Sequence, residues 1–459
     1  MALQEPATEA SGLIADRGVH WVRSAGVELL GEATGTGLTK PVFLVRRSDG
    51  QVVQLTELLY RVIDAADAPQ APEELAAAIS ARLGKELDVD GLNTLAGRLE
   101  PIGLLSDDGA VPPEHLEAAK PILALTLKGT LIPTRGVQFL AGVFRFLFVP
   151  PVVVAAVLAF VGLDVYLAFR ADALQALGAV LVTPSALLAL YGLIFVGTVF
   201  HEIGHAAACR YGGARPGVIG IGLYLVFPAF FTNVTDSYRL GRAGRIRTDL
   251  GGLYFNLLWV LAAGGAFLAS GSPFLLLVVI VTQLQMLQQL PPFVRLDGYF
   301  VLADLAGIPD LFARVKPVLT SLLPGRPTDP RVSELKPYSR WIVTVWVLTV
   351  VPFLTIVLTW LFITLPVVIG QTVQAAAVHV SSFTGFFASG RPVEAILAAI
   401  ALVLLVLPVA GLCIILAQLA MNGVRVVSAR LASQRKRRAW TGRHVRRNPR
   451  HRQAPTARA

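Results

Sequence analysis

Phe200-His201-Glu202-Ile203-Gly204-His205 lies inside an apolar run, Ala186–Tyr211, long enough to cross a membrane as a helix. Histidines at i and i+4 share one helix face about a turn apart, where both imidazoles can reach one zinc ion. The glutamate between them can take a proton from a water that such an ion polarises. With 7 His and 14 Glu among 459 residues, chance supplies roughly 0.003 such arrangements per chain. An ionisable residue is costly in an apolar helix, which argues that Glu202 is there for chemistry. The competing reading is a bundle in which two histidines and a glutamate satisfy one another.

Working outward, the chain is 54% hydrophobic and 15% charged, against about 25% charged in an average soluble domain. A purely soluble protein is excluded. Six apolar runs are read as spans: Phe146–Phe169, Ala186–Tyr211, Leu250–Ser270, Phe274–Leu305, Trp341–Gly370 and Val393–Met421. The basic residues from Arg210 to Arg247 and from Arg314 to Arg340 fall in loops on one side, while the opposite loops hold only Arg170 and Arg391. The positive-inside rule then makes both termini cytoplasmic. Cys209 and Cys413 both sit in apolar runs, which excludes a disulfide scaffold and a cysteine zinc site. No basic stretch followed by an apolar one opens the chain, so no cleaved signal peptide is expected.

A catalytic zinc needs a third protein ligand and an open position. His20, His115, His379, His444 and His451 are all poorly placed for this. Asp297 is better, near the inner end of the fourth run, which crosses in the same direction as the second. His201 is about ten residues, roughly 15 Å, from the inner end of its own helix, a depth that Asp297 can match. A carboxylate paired with neighbouring Arg295 is the alternative.

The front of the chain differs in kind. Residues 1–120 carry 19 acidic and 10 basic side chains, whereas residues 422–459 carry 12 basic and no acidic ones. Val42–Val45 and Val52–Leu55 flank Asp49-Gly50 and read as a hairpin. Thr56 caps a helix with apolar face Leu58, Leu59, Val62 and Ile63; Pro72 opens a second, ended by Gly84; Asp88 to Leu99 makes a third. Two strands and three short helices suggest a winged-helix-like α+β module over residues 24–112. Its net negative charge opposes binding to a phosphate backbone, so no nucleic-acid partner is expected. Residues 113–145 are expected to be an amphipathic juxtamembrane linker on the membrane surface, residues 146–421 the membrane-embedded domain, and residues 422–459 a disordered basic tail attracted to anionic lipid.

Three stretches carry a family resemblance: the HEIGH sequence; Gly252-Leu-Tyr-Phe-Asn256; and Gln289-Leu-Pro-Pro292-Phe-Val-Arg-Leu296-Asp297-Gly298. Together they resemble the site-2-protease type of intramembrane zinc metalloprotease, with Gln289 standing where that family has asparagine. The resemblance implies one catalytic Zn2+ held by His201, His205 and Asp297, with Glu202 as general base. It also implies that Asn256 holds substrate or oxyanion, and a buried Asn bridging two helices is the alternative. Gly217–Asp236 would be a re-entrant hairpin offering an edge to an unwound substrate, or else an interfacial aromatic anchor. The front module resembles PqqD-like domains, which bind a precursor's leader peptide at a strand edge. With that front and no PDZ-like insertion, the chain resembles the bacterial peptide zinc metalloprotease branch.

The fold class expected is therefore mainly α: a polytopic helical membrane protein of six transmembrane helices and a re-entrant hairpin, with a small N-terminal α+β domain, in a bacterial cytoplasmic membrane. The expected activity is hydrolysis of a membrane-associated or leader-bearing precursor peptide, as in bacteriocin maturation. A non-proteolytic peptide-binding, export or immunity protein is the alternative from another class, and regulated proteolysis of a signalling protein a further one.

Overall fold

The computed structural model describes residues 20–84, 86–107, 125–170, 184–224, 227–407, 409–414, 421 and 428. The basic tail, residues 113–124, the loop 171–183 and most of the last apolar run beyond 414 lie outside the described residues.

The front unit carries β1 (Trp21–Arg23), β2 (Glu28–Glu32), β3 (Phe43–Arg46), β4 (Val52–Leu55), α1 (Glu57–Ala65), α2 (Pro72–Leu83), α3 (Val89–Leu99) and β5 (Leu105–Asp107). β2, β3 and β4 form an antiparallel sheet with β3 in the middle. The hairpin, the Pro72 start of α2 and the Asp88 cap all lie where the sequence puts them; Asp88 Oδ1 accepts from Gly91 N at 3.0 Å. Thr56 stands at the N-cap of α1 without a side-chain cap bond. One pairing falls outside the expected unit. β1 runs antiparallel to β5, with Trp21 opposite Asp107, so residues before Ser24 close the unit. Trp21 joins Val62, Ile63, Leu75, Leu92 and Leu99 in its core.

The membrane part follows with β6 (Leu125–Ile132), α4 (Thr134–Phe144), α5 (Pro150–Arg170), α6 (Pro184–Tyr211), β7 (Ile219–Tyr224) and β8 (Phe227–Thr232). After these come α7 (Arg242–Asp249), α8 (Gly251–Ser270), α9 (Pro273–Gln289), α10 (Asp297–Ala306), α11 (Pro337–Ala388) and an apolar helix, α12, over Pro392–Ile414. Five of these helices (α5, α6, α8, α11 and α12) are long and apolar enough to cross a membrane.

Three expectations change. The fourth run is not one helix: α9 ends at Gln289 and a new helix starts at Asp297, because Pro291 and Pro292 lack the N–H and clash with the preceding turn. The fifth does not stop at Gly370. α11 runs 52 residues, about 78 Å at helical rise, through Pro352 and Pro366, so most of the expected outer loop is helical. Nothing between Gly370 and Ala388 breaks it. Residues 125–145 are more than a surface linker. β6 pairs antiparallel with β7, giving a three-stranded sheet in the order β6-β7-β8, and α4 buries Val137 and Ala141 completely. The Gly217–Asp236 stretch is a hairpin in strand register, Ile219 opposite Thr232.

The core beside the His201 helix joins α4, α6 and α8. Val137 and Ala141 of α4 meet Ile203, Ala206, Ala207 and Ala208 of α6 and Phe255 of α8. The small residues let helix backbones approach closely where dispersion, not the hydrophobic effect, holds them. Ala207 is fully buried there, so Ala207→Leu should overpack the contact and destabilise by about 1–3 kcal/mol, read as a lower denaturation midpoint in detergent.

Candidate metal centre

The helix α6 delivers His201, Glu202 and His205 one turn apart, and α10 begins at Asp297. Their donor atoms converge. His201 Nε2 lies 3.1 Å from His205 Nε2, 3.3 Å separates it from Asp297 Oδ2, and Asp297 Oδ1 is 3.6 Å from His205 Nε2. Bonds of about 2.0–2.2 Å to a tetrahedral zinc put donor atoms roughly 3.3–3.6 Å apart. Among the described residues this is the one group of three or more His, Cys, Asp or Glu side chains so gathered.

The His205 imidazole is oriented for a metal. His205 Nδ1 is 2.8 Å from the carbonyl of Thr248. A carbonyl only accepts, so Nδ1 carries the proton and Nε2 presents its lone pair to the site. Space is left for the donors as well. A Cβ on Gly252 would stand 2.4 Å from Nε2 of both His201 and His205. Only glycine fits there. The donor set, the separations and this cradle all suit a small divalent cation.

Glu202 is buried, its Oε2 accepting from Thr232 Oγ1 at 2.6 Å. The same hydroxyl lies 2.9 Å from the Glu202 carbonyl, so its one proton is shared between the two acceptors, with the shorter contact to the carboxylate of the candidate base. Asn256 is buried on α8, and its Nδ2 donates to Gln289 Oε1 at 3.3 Å. It thus bridges α8 to α9 beside His201. Arg295, the alternative partner for Asp297, donates to Asp310 Oδ1 at 2.8 Å and lies over the rings of Tyr299 and Phe312.

All five residues singled out in the sequence are brought to one place. Sequence reasoning passed over three more. Thr232 lay unremarked in FFTNVTD; Gly252 was seen only as part of a spacing; and the Thr248 contribution is a backbone carbonyl, which no side-chain pattern announces.

A stretch of 121 residues, 26% of this chain, is 31% identical to a Bacillus subtilis (strain 168) protein named "Putative peptide zinc metalloprotease protein YydH". The match covers 47% of that relative, so the chain spans about half its length. No protein-family model and no solved structure matches the chain. The similarity supports a zinc metalloprotease, and the His201, His205 and Asp297 cluster could bind the metal.

Gly252→Ala should reduce zinc affinity by about 10-fold or more, since it perturbs two donors at once. Metal content by plasma mass spectrometry, after dialysis against a graded zinc buffer, checks this. The control is Gly265→Ala on the same helix, where a Cβ meets nothing.

Proposed function

We propose that the chain is an intramembrane zinc endopeptidase in which His201, His205 and Asp297 hold the ion and Glu202 is the general base. The observation that carries this reading is the meeting of three donor atoms at 3.1–3.6 Å with a buried glutamate on the same helix turn. Bound zinc would polarise the scissile carbonyl and lower the pKa of water. The chain's own residues do the remaining work. Glu202 takes the proton from the attacking water and returns it to the leaving amine. Thr232 holds the Glu202 carboxylate in one orientation by its hydroxyl. The Asn256 carboxamide, turned from Gln289, donates to the oxyanion.

A peptide bond in a membrane helix is shielded by its own hydrogen bonds and must unwind before water can attack. β8 is an outer strand of its sheet and ends at the residue that touches Glu202. An unwound segment added along that edge would have its backbone groups satisfied and its carbonyl brought beside the metal. In this reading the chain crosses a bacterial cytoplasmic membrane six times with both termini inside. Its PqqD-like front unit recruits a leader-bearing peptide at an outer strand, for maturation of a modified peptide or bacteriocin. The basic tail adds affinity for the anionic leaflet.

Two predictions follow from the roles given to Glu202 and Thr232. Cells expressing wild type or Glu202→Gln at matched levels should differ in one peptide, truncated with wild type and accumulating whole with the variant, by mass spectrometry of membrane and secreted fractions. No difference, with zinc present in both purified proteins, would replace proteolysis by peptide binding or export. On the peptide so found, Thr232→Val should lower kcat by about 10–100-fold, the range for losing a group that orients a reacting one, with zinc content unchanged.

A further inference from the structure

The front unit reaches the metal centre through a short strap. Residues 34–39 join β2 to β3 and bond to three separate parts of the membrane domain. Thr34 O accepts from Arg245 Nη1 at 3.2 Å and Gly35 O from Arg242 Nη2 at 3.0 Å, both on α7. Gly37 N donates at 2.8 Å to Gly307 O at the end of α10, and Gly37 O accepts from Lys336 N at 2.8 Å at the start of α11. Thr39 N donates to Glu334 O at 2.8 Å. Leu38 packs against the core that contains Tyr299, Ala306 and Leu335.

The approach leaves no slack. A Cβ on Gly37 would be 2.2 Å from Ala306 O and 2.6 Å from Ser339 Oγ. Main chain lies on main chain, a contact only glycine permits.

The two helices so clasped are the ones that finish the metal site. One end of α7 carries Thr248, whose carbonyl orients His205; α10 starts with Asp297. Between them Arg245, itself buried, donates from Nε to Asp304 Oδ1 at 2.9 Å while its Nη1 holds Thr34 O and, at 3.0 Å, Leu240 O. Asp304 is two turns from Asp297, about 10 Å along the same helix. Asp249 lies against Asp304, and burial together with that second carboxylate holds its carboxyl well above the usual range. The guanidinium thus reaches Asp304 with Nε and the strap with Nη1.

We infer that the Thr34–Thr39 strap is a positioning element of the metal centre: held by Arg245, which also pairs with Asp304, and by the end of α10, it fixes the separation between the carbonyl that orients His205 and the helix that delivers Asp297. The inference rests on the zinc-site reading above and goes beyond it, because it makes the front unit part of the catalytic geometry as well as a recruiting module. Releasing the strap loosens the metal without altering a ligand.

The test is a Co(II) titration of the full chain in detergent after metal removal, following the visible d–d bands that report coordination geometry. Wild type, Gly37→Val, Arg245→Lys and His205→Ala are compared, with circular dichroism to confirm folding. Gly37→Val and Arg245→Lys should each weaken Co(II) binding by about 10-fold or more, as loss of supporting contacts around a ligand does, and change the band intensities. Arg245→Lys keeps a cation opposite Asp304 but has no second arm for Thr34 O, so it decides the matter if Gly37→Val does not fold. Binding within twofold of wild type and an unchanged spectrum overturn the strap's role. A wild type that binds no Co(II), or a His205→Ala chain that binds as well as wild type, overturns the zinc site and the strap together.

Discussion

A carboxylate from one helix and two imidazoles from another meet within 3.6 Å in a largely buried place, and much of the chain is arranged around that meeting. Desolvating a carboxylate is expensive unless it is paired or coordinated. A continuous helix from Phe274 to Leu305 could not bring Asp297 there as the first residue of a helix. Pro291 and Pro292 end α9, and the chain turns before α10 starts. The cost of the break is freed backbone, and the structure satisfies it locally: Trp346 Nε1 of α11 donates to Pro292 O at 2.7 Å, and Leu296 N to Val294 O at 2.7 Å. Phe293 stacks on Phe353 at 4.2 Å between centroids. The first third of α11 thus covers the interruption that the third donor requires.

The hairpin answers the same constraint from the other side. β7 is paired on both edges, by β6 and by β8, while β8 keeps one edge open. Had β6 been absent, both outer edges would offer backbone groups to any passing strand. With it, β7 is covered on both sides and the outer edges among the described residues belong to β6 and β8; the β8 edge is the one that ends at Thr232 against Glu202. Asp236 fixes the base of the hairpin, its Oδ2 accepting from Arg215 N at 2.7 Å while its other oxygen pairs with Arg46 of β3.

What the sequence made legible was local. The i, i+4 histidines, the Asp-Gly turn, the Pro72 helix start and the Asp88 cap are each decided within a few residues, and each is found in place. Asp297 was reachable through the Leu296-Asp297-Gly298 stretch, although the depth argument took the fourth run as one helix and the chain breaks at Pro291 and Pro292. The pairing of β6 with β7 was not, since its partners are about 90 residues apart and a glycine-punctuated apolar strand looks the same as a surface segment. The extent of α11 was missed because Gly370 and Gln371 resemble a boundary, yet neither prevents helical dihedrals. The strap was invisible for a related reason. It acts through backbone atoms of Thr34, Gly35 and Gly37, and backbone contacts leave no trace beyond the glycines that permit them.

The acidity of the front unit can be understood on the same terms. The loops it faces are basic, and a unit resting on them gains from opposite charge. Yet the ion pairs run in both directions: Arg239 of the loop to Glu28 of β2 at 3.4 Å, and Arg46 of β3 to Asp236 of the loop. The exposed Arg239–Glu28 pair contributes about 0–1 kcal/mol and weakens with salt, whereas Asp236 is buried. Side-chain pairs tolerate small shifts and do not by themselves define a unique seat for the unit. The strap can, because its Gly37 and Thr39 bonds run from main chain to main chain and a shift of one residue would unmake several at once. Net charge brings the unit to the basic face, and the backbone register of residues 34–39 determines where it stops.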